Sequence, residues 1–329
     1  NTKALFIIDH YFKDKKLPFI KKNNYFFIFY NSNEEPSVDY INNTIAMLKN
    51  NKLLKYISLI VGFGGGSCLD IAKAISIGIT NRKPIQFYQG WDIPKNKPIF
   101  KLAIPTIAGT GSESTRTCVL INKEKNIKLG INSNFSIYDE VILDPDLIKS
   151  VPKNKYFYTA MDAFIHSFES LSGKYRNLLS DYYASIVINL IDEIFSSKNI
   201  KSKTNRKKLM LCSYLGGLSI ASSYVGIVHP LSAGLSTVFG TRHCEANCRV
   251  LFELKKYYPL YRKLFLKYVD KNNINFSKLH YNIKEESFID LYDSSIFHSK
   301  PLTNALGKNY LRVLTFKEVS SIFKKILNK

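Results

Sequence analysis

Acidic residues are scarce in this chain: 26 aspartates and glutamates stand against 47 lysines and arginines, a formal charge of +21. Cysteine occurs only five times in 329 residues, at positions 68, 118, 212, 244 and 248. Five is an odd number, and the positions are scattered. This argues against a disulfide scaffold and for a reducing compartment. No apolar run approaches the ~20 residues that a membrane helix needs. No secretory signal with a basic start and an apolar centre is visible at the amino end. The expected location is therefore the cytoplasm, with no membrane partner. The chain opens on Asn1 rather than methionine, directly before a strand-like run. We therefore expect further amino-terminal sequence, and any targeting segment would lie within it.

Apolar content, by contrast, is ample. At 45% hydrophobic and 13% aromatic, the chain reads as globular, and its length suits two domains. The excess positive charge raises the question of a nucleic-acid partner. However, the lysines are spread out, and only Lys201-Ser-Lys-Thr-Asn-Arg206-Lys-Lys208 forms a basic run. Lying between two helical patterns, that run reads as a solvated loop. A non-catalytic, basic nucleic-acid-binding protein stays as the remote alternative, and no nucleic acid is expected.

The first half alternates strand-like and helical patterns. Ala4-Leu-Phe-Ile-Ile8 and Tyr25-Phe-Phe-Ile-Phe-Tyr30 are continuous apolar runs of the buried parallel-strand type. Leu59-Ile-Val61, Lys101-Leu-Ala-Ile104 and Val141-Ile-Leu143 supply further strands, and helices are expected over 38–54 and 68–79. Such alternation predicts an α/β fold with a parallel sheet wrapped by helices. After Asp144-Pro145 and Val151-Pro152 the chain reads as helix after helix. The expected domains are 1–150 and 151–329.

Two stretches carry chemistry in the helical half. Asp162 and His166 sit four residues apart in an apolar helical pattern, hence on one face, one turn apart. A bound cation or a plain Asp–His hydrogen bond would account for burying the pair. His229 and His243 are fourteen residues apart, about 21 Å along an unbroken helix. Pro230, Gly234 and Gly240 give the chain places to bend and bring both imidazoles back. One Asp and three His form a plausible site for Fe²⁺ or Zn²⁺. In the α/β half, Gly62-x-Gly64-x-x-Ser67 follows a strand and opens a helix, as does a phosphate-binding turn. It only approximates the dinucleotide fingerprint, because no acidic residue is well placed about 20 residues on. Pro105-Thr106-Ile-Ala-Gly109-Thr110-Gly111-Ser112-Glu113 also follows a strand, with hydroxyls suited to phosphate or nicotinamide contacts.

These residues resemble the iron-containing (group III) alcohol dehydrogenases. The resemblance rests on Gly-Gly-Gly-Ser-x-x-Asp-x-Ala-Lys (64–73), the Pro105–113 stretch, Asp-Pro-Asp-Leu (144–147), Met-Asp-Ala-x-x-His (161–166), His229 and His243. It implies a dinucleotide-binding parallel-sheet domain followed by an all-helical metal-binding domain. It also implies an oxidoreductase that passes a hydride from an alcohol to NAD(P), with a divalent metal as Lewis acid and a homodimer within its range. Asp162, His166, His229 and His243 match the metal ligands. Gly64, Gly65, Gly66 and Ser67 match the pyrophosphate cradle, and Thr106, Thr110, Ser112 and Lys128 match cofactor contacts. Three positions depart from the pattern: Ala233 where many members carry a further histidine, Tyr30 where an acid often favours NAD, and Ile107 for a second threonine.

A narrower resemblance, to the 3-deoxy-manno-octulosonate 8-oxidase branch, rests on four stretches. They are Tyr88-Gln-Gly-Trp-Asp92, Thr115-Arg-Thr-Cys118, Ser170-Leu-Ser-Gly-Lys-Tyr-Arg176-Asn and Arg242-His-Cys-Glu-Ala-Asn-Cys248. It implies oxidation of the C8 hydroxyl of that lipopolysaccharide sugar acid, with Arg116 and Arg242 as candidate partners of its carboxylate. It also implies an oxygen-dependent reaction, and no flavin or haem motif accompanies it. The competing expectation is an NAD(P)-dependent dehydrogenase of small aliphatic alcohols.

Overall fold

A computed structural model describes residues 2–15, 25–276, 279, 281 and 283–327. Contacts within the chain divide it into two units, Asn1–Ile107 with Gly111–Ile148, and Lys149–Lys329 with the short segment Ala108–Thr110.

The first unit is built on strands β1 (Lys3–Asp9), β2 (Tyr25–Tyr30), β3 (Ile57–Gly64), β4 (Gly90–Trp91), β5 (Phe100–Pro105), β6 (Thr117–Asn122), β7 (Ile127–Asn132) and β8 (Glu140–Val141). Five of them form a parallel sheet in the order β2-β1-β3-β5-β8. Side chains alternate faces along a strand. In β1, Leu5 and Ile7 accordingly join one buried cluster, with Ile41, Ile71 and Ile75 from helices α1 (Val38–Asn50) and α2 (Gly66–Asn81). Ala4, Phe6 and Ile8 join another on the opposite face, with Phe12 and Phe63. Burial on both faces explains why β1 reads as an unbroken apolar run, whereas the equally apolar edge strand β2 is only partly buried up to Tyr30. The sequence reading did not include the antiparallel hairpin β6–β7, which with β4 forms a second, three-stranded sheet. Burial alternates strictly in β6, with Cys118, Leu120 and Asn122 turned inward, but not in β7, where Gly130, Ile131 and Asn132 are all buried.

The second unit is helical: α3 (Lys153–Ser172), α4 (Leu178–Ser196), α5 (Lys203–Ser222), α6 (Val228–Phe239), α7 (His243–Glu253), α8 (Pro259–Lys271), α9 (Glu286–Ile296), α10 (Ser299–Leu306), α11 (Tyr310–Val313) and α12 (Phe316–Ile326). Among the described residues no helix is long and apolar enough to cross a membrane. The basic run expected as a loop instead straddles the start of α5. The Ser202 side chain accepts from the Asn205 N–H, and Arg206 is buried with Nη1 donating 2.9 Å to Lys201 O. Local capping and a carbonyl partner thus draw part of the run out of solvent.

Of the three expected bends near the late histidines, the chain uses one. Pro230 sits in the first turn of α6, where its missing N–H costs nothing. Gly234 stays within α6, where it serves close packing instead of a bend: an added Cβ would lie 2.9 Å from Leu291 O and 2.4 Å from Ser295 Oγ. Gly240 makes the turn with φ +66, in the left-handed region that suits glycine.

Candidate metal centre and cofactor loop

Helix α3 is buried along most of its length and carries Asp162 and His166 one turn apart. The Gly240 turn lets α6 and α7 deliver His229 and His243 to the same carboxylate. Nε2 of His166 and of His229 lie 3.6 and 3.4 Å from Asp162 Oδ1, and Nε2 of His243 lies 3.8 Å from Oδ2. The His166 and His229 rings stack with centroids 4.8 Å apart. Side-chain exposure rises across the set, from 0% at Asp162 through 4% at His166 and 11% at His229 to 32% at His243. All four sequence-predicted metal residues are therefore brought together. Donor atoms of Asp162, His166 and His229 all lie within 4.8 Å of one another.

Three further residues belong to the cluster and were not assigned a role from sequence. Glu169, one turn beyond His166, receives the His229 Nδ1 contact at 2.6 Å. It also accepts from Val228 N–H at 2.7 Å and from Tyr258 O–H at 3.3 Å. Its spacing of seven from Asp162 was the available signal, since it places both carboxylates on one helix face. Asn247, on the next turn of α7 from His243, donates to Asp162 Oδ1 at 2.7 Å. Its Nδ2 also lies 3.3 Å from Nε2 of both His229 and His243. Cys244 Sγ lies 3.3 Å from Asp162 Oδ2.

The electrostatics follow from this crowding. Burial alone would raise the Asp162 carboxyl, but His166, His243 and His229 outweigh it and hold the group well below the usual carboxylate range. Burial pushes His166 down to about 4 against the pull of Asp162. At His229 burial also pulls downward, but hydrogen bonds to Asp162 and Glu169 prevail and raise it to about 9.

The hydrogen-bond demands do not close. Asn247 Nδ2 has two hydrogens, yet three acceptor positions converge on it within 3.3 Å. Its own Oδ1 is buried without a hydrogen-bond partner. At His229, Nε2 faces a carboxylate that asks for a proton and an amide N–H₂ that asks for a lone pair. No single proton placement satisfies both. A divalent cation on Asp162 and the three Nε2 atoms would satisfy all four, while Glu169 fixes His229 with its proton on Nδ1. The residues fit a metal.

In the α/β unit, Gly64–Ser67 lie at the carboxyl end of β3 and the start of α2. The sheet order reverses between β1 and β3, and such a switch point is where open α/β sheets hold ligands. The N-terminus of α2 has no side-chain cap, so its N–H groups and positive dipole end are available to phosphate. A Cβ on Gly64 would meet Cys68 Cβ at 2.7 Å, which favours glycine there, whereas one on Gly65 would meet only the end of the Ile107 side chain at 3.0 Å. Thr106 is buried and donates its N–H to Gly64 O at 2.9 Å. These residues fit a dinucleotide.

The remaining candidates are placed differently. Ser112 Oγ donates 2.6 Å to Asp70, and Lys128 Nζ pairs with Glu35 at 2.9 Å. Thr110 groups with the helical unit. Arg116 is paired with Asp92, and Arg242 is the exposed residue that precedes His243 at the start of α7. Tyr30 is buried with its hydroxyl on Glu34 O, and so offers no carboxylate at that position.

Comparison with known proteins identifies the class. Residues 2–145 match the iron-containing alcohol dehydrogenase family and residues 156–263 match its C-terminal family. The chain belongs to the iron-containing alcohol dehydrogenases. It is 34% identical over 179 residues to sulfoacetaldehyde reductase of Bilophila wadsworthia, covering 54% of this chain and 46% of that protein. It is 29% identical over 242 residues to 4-hydroxybutyrate dehydrogenase of Clostridium kluyveri, covering 72% and 61%. The chain spans about half the length of the curated relatives it matches. In fold it is similar to a sulfoacetaldehyde reductase from Bifidobacterium kashiwanohense in complex with NAD⁺, with a TM-score of 0.80, 20% identity, and coverage of 100% of this chain and 92% of that one.

Proposed function

We propose that this protein is a metal- and NAD(P)-dependent oxidoreductase that interconverts a primary hydroxyl and an aldehyde, and that its substrate is the C8 hydroxyl of 3-deoxy-manno-octulosonate. The observation that carries the reaction class is the convergence of Asp162, His166 and His229 donor atoms within 4.8 Å of one another, with His243 Nε2 3.8 Å from the same carboxylate. These residues would hold a divalent cation, which would supply Lewis acidity towards an alcohol oxygen, and a bound NAD(P) would supply a hydride acceptor.

The chain's own residues prepare that chemistry. Asp162 stays ionised, and Glu169 holds the Nδ1 proton of His229 so that the Nε2 lone pair turns inward. Tyr258 and the Val228 N–H fix Glu169 in turn. Gly64–Ser67 and the N-terminus of α2 would cradle the cofactor's phosphates. Oxidation of the alcohol would remove two hydrogens, balanced as a hydride equivalent for the nicotinamide and a proton for solvent. The five free cysteines support a cytoplasmic setting.

Two observations support an anionic substrate: the net charge of +21, and Arg242 directly before His243. A second reading has its own support. Arg116 is already paired with Asp92, and other relatives are named as a 1-propanol dehydrogenase and an NAD-dependent methanol dehydrogenase. Under it, the substrate is a short alcohol or aldehyde.

Mass spectrometry separates these readings. Metal-loaded protein is incubated in air with the octulosonate, with and without NAD(P), and in parallel with short primary alcohols. Loss of two hydrogens at the terminal carbon of the sugar acid supports the first reading, and the sample without NAD(P) identifies the acceptor. Turnover of short alcohols alone would move the substrate to the second reading. No turnover of either, in protein with a full complement of metal, would overturn the reaction class.

A further inference from the structure

We infer that a lysine-lined cavity in the helical unit binds a small polyphosphate anion, at a site of its own away from the metal centre. The cavity measures about 410 Å³, and Lys153, Lys198, Lys201 and Lys271 all line it. Three segments bring them together. Lys153 opens α3, Lys198 and Lys201 lie in the turn between α4 and α5, and Lys271 ends α8. Nine residues of α3 separate Lys153 from Asp162, about 14 Å along the helix axis.

The charge in this hollow is not balanced by the protein. No acidic residue lines it, and among the described residues none of the four lysines pairs with a carboxylate. The two acids near the end of α4 are engaged elsewhere, Asp192 with Lys267 at 2.9 Å and Glu193 with Lys208. Four like charges round one cavity repel one another, and an anion between them removes that cost. Ammonium groups bind phosphate as point charges. A single small anion would leave most of this charge unmatched, whereas a chain of two or three phosphates offers oxygens to every lysine.

The walls are fixed by their own hydrogen bonds. Lys201 Nζ donates 2.7 Å to Val151 O, Lys271 Nζ donates to Ser196 O, and the Tyr156 hydroxyl donates 3.0 Å to Ile200 O. Buried Asn272 donates its Nδ2 to Tyr268 O at 2.8 Å. Each wall-bonded ammonium uses one of its three N–H groups there and keeps two for a ligand. The volume lies within the roughly 300–1,000 Å³ of small-molecule sites. Lys201 also begins the basic run of the sequence, but Arg206 in that run is buried on Lys201 O. The run therefore ends at a cavity and offers no extended basic stripe of the kind a nucleic-acid strand follows.

Calorimetry of the metal-free chain with inorganic tripolyphosphate, at physiological salt, tests the site. One equivalent should bind per chain, with or without saturating NAD⁺. Lys153→Ala/Lys198→Ala removes the two lysines that make no bond to the wall, and should weaken binding at least about 10-fold. Lys49→Ala/Lys83→Ala, an equal charge change at exposed positions in the α/β unit, should leave it unchanged. Equal weakening by both pairs would overturn the site in favour of diffuse surface charge. Competition by NAD⁺, with no effect of Lys153→Ala/Lys198→Ala, would overturn it in favour of the cofactor loop. No binding of tripolyphosphate at all would overturn it outright. A single-stranded oligonucleotide that binds through the same two lysines, and more tightly, would overturn the small-anion reading.

Discussion

Two buried polar clusters, one in each unit, are made of similar materials and end differently. In the α/β unit, the Lys73 ammonium has three N–H groups and meets three acceptors: Thr115 O at 3.0 Å, Thr115 Oγ1 at 3.3 Å and Thr117 O at 2.8 Å. Each oxygen of Asp70, one helical turn away, receives one donor, from Ser112 Oγ and from Val119 N–H. Burial pushes Lys73 down and Asp70 up, and the two charges offset each other. Donors and acceptors match. In the helical unit three acceptors crowd one amide N–H₂, a buried amide oxygen has no partner, and two groups place contrary demands on one imidazole nitrogen. A polar cluster that closes on itself holds a fold together. One that is left open is shaped for something it does not itself contain.

Breaking each cluster should therefore give opposite signatures. Lys73→Met leaves Asp70 and two carbonyls without their cation, and should cost about 3–5 kcal/mol of stability in urea unfolding. Metal content should not change; metal loss in a still-folded Lys73→Met protein would break the comparison. Asp162→Asn should do the reverse. Metal affinity should fall by more than about 100-fold by calorimetry, since removing a ligand exceeds the effect of removing its support, while the metal-free chain stays folded. Glu169→Gln keeps the shape but weakens the hold on His229, so a loss of about 10- to 100-fold in metal affinity is expected.

A pH titration of metal binding sharpens the contrast further. In the metal-free chain His229 carries its extra proton below about 9, and a cation must displace that proton. His166, pushed down to about 4, is already neutral above that value. Affinity should thus rise about tenfold per pH unit towards 9 and level off above it. A flat profile from pH 6 to 9 would show that His229 is no ligand. The smallest effect belongs to Ser112→Ala, which removes one donor from Asp70 and should cost about 1 kcal/mol in urea unfolding, with metal binding untouched.

How much of this was legible depends on how local each signal is. The pairing of Asp162 with His166 is written in a spacing of four, and the strands of the parallel sheet in runs buried on both faces. Glu169 shares that helix face at a spacing of seven, but its partner, His229 Nδ1, lies sixty residues away and is met only after folding. Asn247 carries no charge and stands out in no pattern; its role comes from what crowds it. Gly234 and Gly240 look alike as letters, yet one leaves room for Leu291 O and Ser295 within a helix while the other turns the chain. Strand β6 alternates, but β7 breaks the alternation at Gly130–Asn132, and neither strand has the long apolar run that marks β1 and β2.

The graded exposure of the four donors gives the centre a direction. An ion arriving from solvent meets His243 first and Asp162 last, and it departs in the reverse order. Exchange is then paced by one partly exposed imidazole at the end of a glycine turn, whereas residence is set by a carboxylate that water does not touch. A chelator would have to approach from the His243 side, and how fast it strips the site would still depend on the buried bonds it must break behind that one side chain.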